Sequence, residues 1–183
     1  MSEQLFKRLQ NDIRVDLADE FDRNFERKAF FDQPWPANKF PNHRGSMMAR
    51  TNYLRRSLIS NISGNQIVYT SSAAQADIMN NGGKIKITPQ MKKFFWAMYY
   101  QSTNARTFKV SNKQLSNTQK NTRLTAEAEM WKAMALKKVG TYIIIPKRQF
   151  IGTHPMVHST IQQAGAGFLK ELETYLNTII KKR

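Results

Sequence analysis

No cysteine occurs among the 183 residues. That one absence removes a disulfide scaffold, cysteine-ligated zinc, an iron–sulfur cluster and a cysteine nucleophile. Carboxylates are scarce where cations are dense: residues 33–126 hold 14 Lys and Arg against a single acid, Asp77. Long apolar runs are missing as well. Nothing approaches the roughly 20 consecutive apolar residues of a membrane span, and Tyr142-Ile143-Ile144-Ile145 is only a short strand-like run. The N-terminal Met-Ser-Glu-Gln-Leu-Phe-Lys carries no apolar signal segment, so the expectation is a protein of a reducing, intracellular compartment with no membrane partner.

What is present is a foldable composition. Hydrophobic residues make up 40% and aromatics 11%, too many for a disordered chain. A chain of this length buries roughly 70% of its unfolded surface and needs no staple, and its size predicts a single domain over residues 1–183. The charge is uneven. Residues 1–32 hold 6 bases and 8 acids, residues 33–126 are strongly positive, and residues 127–183 hold 9 bases and 4 acids, for a total of +16. Such a field favours a polyanion or an acidic protein face and speeds encounter more than it fixes structure.

Periodicity predicts an α+β fold: a small antiparallel sheet flanked by a long N-terminal and a C-terminal helix. Leu5, Leu9, Ile13, Leu17, Phe21 and Phe25 recur every fourth residue, predicting a helix over 3–30. That spacing overshoots the 3.6-residue turn by about 40° per step, so the stripe winds and meets two surfaces in succession. Residues 31–46 read as a proline-punctuated loop anchored by Trp35. Ala49–Ile59 holds a short helix or turn, Asn61–Asn65 a turn, Gln66–Ser71 a β-branched strand, and Ala73–Met79 a short helix stopped by Gly82 and Gly83. Lys84–Thr88 alternates as a half-exposed strand, and Thr88-Pro89 caps a helix carrying Met91, Phe94, Phe95, Met98 and Tyr99. The polar stretch 101–124 reads as a long mobile loop with a β-excursion at 107–110. A helix over 125–138, the most buried-looking strand of the chain at Tyr142–Ile145, an ordered loop at Pro146–Gly152 and a final helix from Thr153-His154-Pro155 to about Ile180 complete the reading.

The chemistry-bearing residues are few. His154 and His158 are four apart at a helix start, but no third ligand accompanies them, so capping or surface roles outweigh a metal site. No carboxylate pair, phosphate-cradling glycine loop or nucleophile elbow is present. The expectation is a non-enzyme without cofactor or metal. Lys92 and Lys93 beside Phe94, Phe95 and Trp96, with Tyr99 and Tyr100, mix cations and aromatics as single-strand binders do; helical spacing favours a core role for the aromatics. Lys84, Lys86, Lys92, Lys93, Lys109 and Lys113 are the candidates for a basic surface.

Four segments in order carry a resemblance. Phe31-Asp32-Gln33-Pro34-Trp35-Pro36 looks like a Trp-Pro loop; Arg50-Thr51-Asn52-Tyr53-Leu54-Arg55-Arg56-Ser57 is similar to Arg-Thr-Gly-x-Leu-Arg-x-Ser; Gln75-Ala76-Asp77-Ile78-Met79-Asn80-Asn81-Gly82-Gly83 is similar to Tyr-Ala-x-Ile-His-Asn-x-Gly-Gly; and Pro146-Lys147-Arg148-Gln149-Phe150-Ile151-Gly152 is similar to Pro-x-Arg-x-Phe-Ile-Gly. Together they resemble the phage virion morphogenesis family, the tail-completion proteins that include the G protein of Mu-like phages. Asn52 replaces the usual Gly, tolerable because Asn enters the left-handed region; Gln75 and Met79 replace the usual Tyr and His. The resemblance implies a structural protein of tail completion or head–tail joining, found in the host bacterial cytoplasm and then in the virion. It implies partners among tail or connector proteins and a homo-oligomeric ring. The charge adds a possible nonspecific contact with DNA, or a basic nucleic-acid-binding module as the alternative function. Trp35, Arg55, Arg56, Gly82, Gly83, Arg148, Phe150 and Gly152 are the interface or structural candidates, with Arg148 either interfacial or pinning its own loop. A ring built head to tail would set the acidic first helix (Asp12, Asp16, Asp19, Glu20, Asp22, Glu26) on a neighbour's basic face.

Overall fold

The computed structural model describes residues 2–37 and 48–180. Most of the expected loop at 31–46, with Pro41 and His43, lies outside the described residues. The architecture is α+β. Where length predicts a single domain, the chain falls into two compact units: residues 82–146 form one, and the described residues 2–36, 48–81 and 147–180 form the other. Among the described residues the single small sheet expected from the pattern is instead three separate two-stranded antiparallel ribbons.

The first unit is built on α1 (Ser2–Arg27) and α6 (Pro155–Ile180). The winding stripe of α1 meets two clusters in turn. Ile13, Leu17 and Phe21 join Phe30, Phe31 and Val157, whereas Phe25, one step on, joins Trp35, Leu54, Ala73, Ala76 and Phe150. Residues 29–30, read as the end of the first helix, and 31–34, read as loop, make a tight ribbon of β1 (Ala29–Phe30) and β2 (Gln33–Pro34), with Phe31 in the turn at φ 55°. α2 (Tyr53–Arg56) follows Asn52, which takes the left-handed conformation at φ 56°, a region that Asn tolerates. β3 (Leu58–Ser63) pairs with β4 (Gln66–Ser71). The expected turn at Asn61–Asn65 is therefore shorter, with Gly64 alone at positive φ; cross-strand pairing overrides the weak strand preference of Asn61 and Ser63. α3 (Ala76–Asn81) ends at Gly82, φ 72°, the left-handed residue that commonly terminates a helix.

In the second unit β5 (Gly83–Lys86) pairs with β6 (Tyr142–Ile145). α4 (Pro89–Asn104) is capped by the Thr88 hydroxyl, which accepts from Met91 N, and packs on α5 (Gln119–Leu136) around Phe95, Met134 and Ala135. Two expectations need correction. Tyr142–Ile145 is not fully buried: Ile143 packs on the helical core, but Tyr142 and Ile144 are 55% and 66% exposed, because helices cover one face of the ribbon. Nor is 101–124 one long loop. α4 runs through Asn104 and α5 begins at Gln119, leaving 105–118 closed by a bridge between Phe108 and Leu115. The Asn121 side chain overrides the polar composition: it donates to Thr107 O at 2.7 Å and Ser116 O at 2.6 Å and accepts from Thr107 N at 3.0 Å.

Candidate functional site

Segments far apart in the chain converge in the first unit. Phe25, on the last turns of α1, touches Trp35 edge-on at 5.7 Å and Phe150 at 5.3 Å. Trp35 is buried, and its indole N–H donates to Gln149 O at 2.6 Å. Asn80 Oδ1 accepts from both Phe150 N (2.9 Å) and Ile151 N (3.1 Å). Arg148 is buried; its backbone N–H donates to Met79 O at 2.8 Å and its Nε to Pro36 O at 3.1 Å. Asn24, fully buried, donates to Phe150 O at 3.2 Å and accepts from Phe31 N at 2.9 Å. Loop 146–152 is thus held from three sides by bonds a buried backbone requires. Of the two roles weighed for Arg148, these bonds serve its own fold, and burial lowers the pKa of its guanidinium from the ordinary arginine value.

Arg55 reaches from α2 to α1, donating to both carboxylate oxygens of Asp22 and, at 2.7 Å, to Glu26. Those bonds, Asp22 first, hold its pKa above the ordinary arginine range. Arg56 is exposed beside it. Gly152 sits at φ 140°, where a Cβ would strike the Gln149 side chain; only glycine is comfortable there. Gly83 pairs with Ile145 at the start of β5.

The predicted basic residues divide by location within the second unit. Lys84 and Lys86 stand exposed on the outer face of the ribbon, opposite Ile144 and Tyr142. Lys92 is half-buried and Lys93 exposed on α4. Lys109 and Lys113 lie on the 105–118 loop, both exposed, Lys113 at φ 55°. The aromatic run on α4 splits: Phe95 enters the core as its spacing predicts, while Trp96, Tyr99 and Tyr100 form a separate cluster, Trp96 stacked on Tyr100 at 6.0 Å and 28°.

A cavity of about 630 Å³ opens in the first unit among α1, β4 and α6, lined by apolar side chains such as Leu9, Ile13, Ile67 and Ile161. Its one titratable side chain among the described residues is Tyr69, whose hydroxyl donates to Arg14 O at 2.9 Å and whose pKa burial pushes up to about 12. A lone phenol in an apolar cavity supplies no acid–base pair. His154 is buried; its Nδ1 accepts from Met156 N at 3.2 Å, so Nε2 carries the proton and donates to Asp32 at 2.9 Å. It caps α6 and stacks on Phe31, while His158 is exposed. Among the described residues no three His, Asp or Glu gather as metal ligands, and no helix is long and apolar enough to cross a membrane.

Sequence reasoning missed three asparagines that tie backbone segments together, Asn24 and Asn121 buried and Asn80 half-buried. Asn80 lies inside a quoted segment without being singled out. Asn24 interrupts the apolar stripe between Phe21 and Phe25, and a polar residue on a buried face must find partners; that was its signal. Asn121 gave none. The chain matches no protein-family model, no curated protein and no solved structure.

Proposed function

We propose that the chain is a non-enzymatic structural component of phage or prophage virion assembly, acting in tail completion or head–tail joining. The observation that carries the reading is the convergence just described. Three of the four segments that bear the family resemblance meet through Trp35–Gln149, Asn80–Phe150 and Arg148–Pro36, and the remaining one joins them through Leu54, which packs in one cluster with Phe25, Trp35, Ala76 and Phe150. Segments spent on packing one another into a framework suit a component that works by shape and surface. In this reading the protein passes from the host cytoplasm into the virion, where its partners are tail or connector proteins and further copies of itself in a ring. The acidic helix contributes less to such a ring than its composition implies. Asp22 and Glu26 are held by the subunit's own Arg55, Glu20 by Arg23 and Arg27, and Asp12 lies 3.9 Å from Arg8, which leaves the exposed Asp16 and Asp19 for a neighbour.

The test is electron microscopy of particles assembled without the protein. Filled heads and separate or misterminated tails support the reading; normal infectious virions overturn it. For the ring, sizing across concentration at low and high salt is repeated with Asp16 and Asp19 reversed to Lys, and an oligomer indifferent to both salt and reversal removes the charge-pairing mechanism.

A further inference from the structure

One face of α4 is built unlike a stable helix surface. At 100° per residue, Lys92, Lys93, Trp96, Tyr99 and Tyr100 fall within an arc of about 120°, beside the narrower arc of Met91, Phe95, Met98 and Ser102 that meets α5. The three rings touch in series: Trp96–Tyr99 edge-on at 5.6 Å, Tyr99–Tyr100 at 5.3 Å, and Trp96–Tyr100 stacked at 6.0 Å. Trp96 is rooted by packing on the Phe95 cluster, yet Tyr100 remains 57% exposed. Large rings stacked at the surface are a poor use of apolar area in a monomer and a good platform for a flat ligand.

The charges point the same way. Lys92 and Lys93 lie in the N-terminal part of α4, whose first turn has no acid. Cations there work against the positive end of the helix dipole, whereas an anion is favoured by lysines and dipole together. No carboxylate occurs between Asp77 and Glu127, and residues 82–146 hold 12 Lys and Arg against only Glu127 and Glu129. Two carboxylates cannot neutralise twelve cations, so the compensating charge must come from outside the unit.

We propose that this face of α4 binds single-stranded nucleic acid, with bases stacking on Tyr100 and Trp96 while Lys92 and Lys93 meet the phosphates. An acidic protein would use the lysines and leave the stacked rings without purpose. A duplex hides the faces of its bases in its own stack, so it would use the lysines alone. The inference rests on the geometry of α4 and stands or falls separately from the virion reading.

The test is fluorescence anisotropy of the full-length protein with a labelled oligothymidine of about 20 nucleotides, titrated between about 50 and 200 mM salt. Tyr100→Ala, whose ring is mostly exposed, should keep the fold by far-UV spectrum and weaken binding by about 5- to 100-fold, the range of one lost base stack, with the salt slope unchanged. Trp96→Ala should weaken it similarly; should it unfold, Tyr100→Ala decides alone. Lys92→Gln with Lys93→Gln should reduce the slope of log affinity against log salt by about 1.4, from two lost phosphate contacts at about 0.7 each. The proposal is overturned if Tyr100→Ala binds as the parent does, or if a duplex of the same length or a polyglutamate binds as tightly as the single strand.

Discussion

Residues 82–146 and the described residues of the first unit each hold 12 Lys and Arg, but the first unit sets 11 Asp and Glu against them and residues 82–146 only 2. Cations in the first unit are matched from within: Lys7 with Glu3, Arg23 and Arg27 with Glu20, Arg55 with Asp22 and Glu26. Most are exposed pairs worth about 1 kcal/mol or less each, so they orient side chains more than they stabilise the unit. The second unit carries a self-repelling field that weakens its own compact state and attracts anions. One unit is nearly neutral; the other is charged, with a ribbon face of Lys84, Lys86, Tyr142 and Ile144 and a ring cluster at the surface. The same number of cations can thus serve a framework or a docking surface, and the carboxylate count tells them apart.

Four measurements test that contrast, from the largest expected effect downward. Removing a ring from the interlocked core should be costly in the first unit. Phe150→Ala or Trp35→Ala is expected to lose about 3–5 kcal/mol in denaturant unfolding; a loss under about 1 kcal/mol for Trp35→Ala would mean that the loop holds without its anchor. In the second unit the matching fastener is Asn121, and Asn121→Ala should cost about 2 kcal/mol by leaving loop carbonyls and an N–H unpaired. Amide exchange should then rise across 105–118 and stay unchanged in α1; unchanged exchange at 105–118 would show the loop to be held by something else.

A pH titration gives the third. The Tyr69 phenol ordinarily titrates near 10 and is pushed up to about 12 in the folded protein by burial. Below about pH 10 both states keep the proton and its contribution is complete. Between about pH 10 and 12 the unfolded chain loses the proton first, so stability falls with rising pH. Tyr69→Phe should lose about 1 kcal/mol at neutral pH with the Arg14 carbonyl bond and flatten the fall relative to the parent; parallel curves would place Tyr69 in water. The smallest effect is a gain. A Cβ at Gly167 or Gly165 in α6 meets nothing within 4 Å, so Gly→Ala should stabilise the helix by about 0.5–1 kcal/mol each. A loss there, read by thermal unfolding of the assembled state, would reveal close approach by another copy.

Where packing follows local pattern, the sequence was legible. The fourfold stripe of α1, the Thr88-Pro89 cap and the Gln66–Ser71 strand can all be read from spacing and side-chain chemistry. Burial of Trp35 follows from having only prolines beside it to order the loop. What was not legible depends on partners distant in sequence. Asn121 looks like a surface amide until its backbone partners are known, and the polar 105–118 loop closes through bonds across itself, such as Lys109 N to Gln114 O and Ser116 N to Thr107 O, together with those of Asn121. Tyr142–Ile145 misleads for a related reason: four apolar residues in a row resemble a strand covered on both faces, whereas one face here has no layer over it. On α4 the helical spacing correctly sent Phe95 inward, but spacing alone could not show that its neighbours would gather into a second cluster outside.

The order in which the chain emerges during synthesis gives the Asn24–Phe150 bond a further meaning. Its partners are 126 residues apart, so at about 5–20 residues per second the first helix waits roughly 6–25 s for the segment that completes its core. Residues 82–146 are contiguous and are released within that interval, so the basic unit is whole first. Phe25 and Trp35 stay uncovered in the meantime, open to chaperones and to other nascent chains on the same message. A chain that stops between residues 146 and 150 holds the whole 82–146 segment but lacks the residue that completes the core of the first helix, and such a product is a natural substrate for degradation.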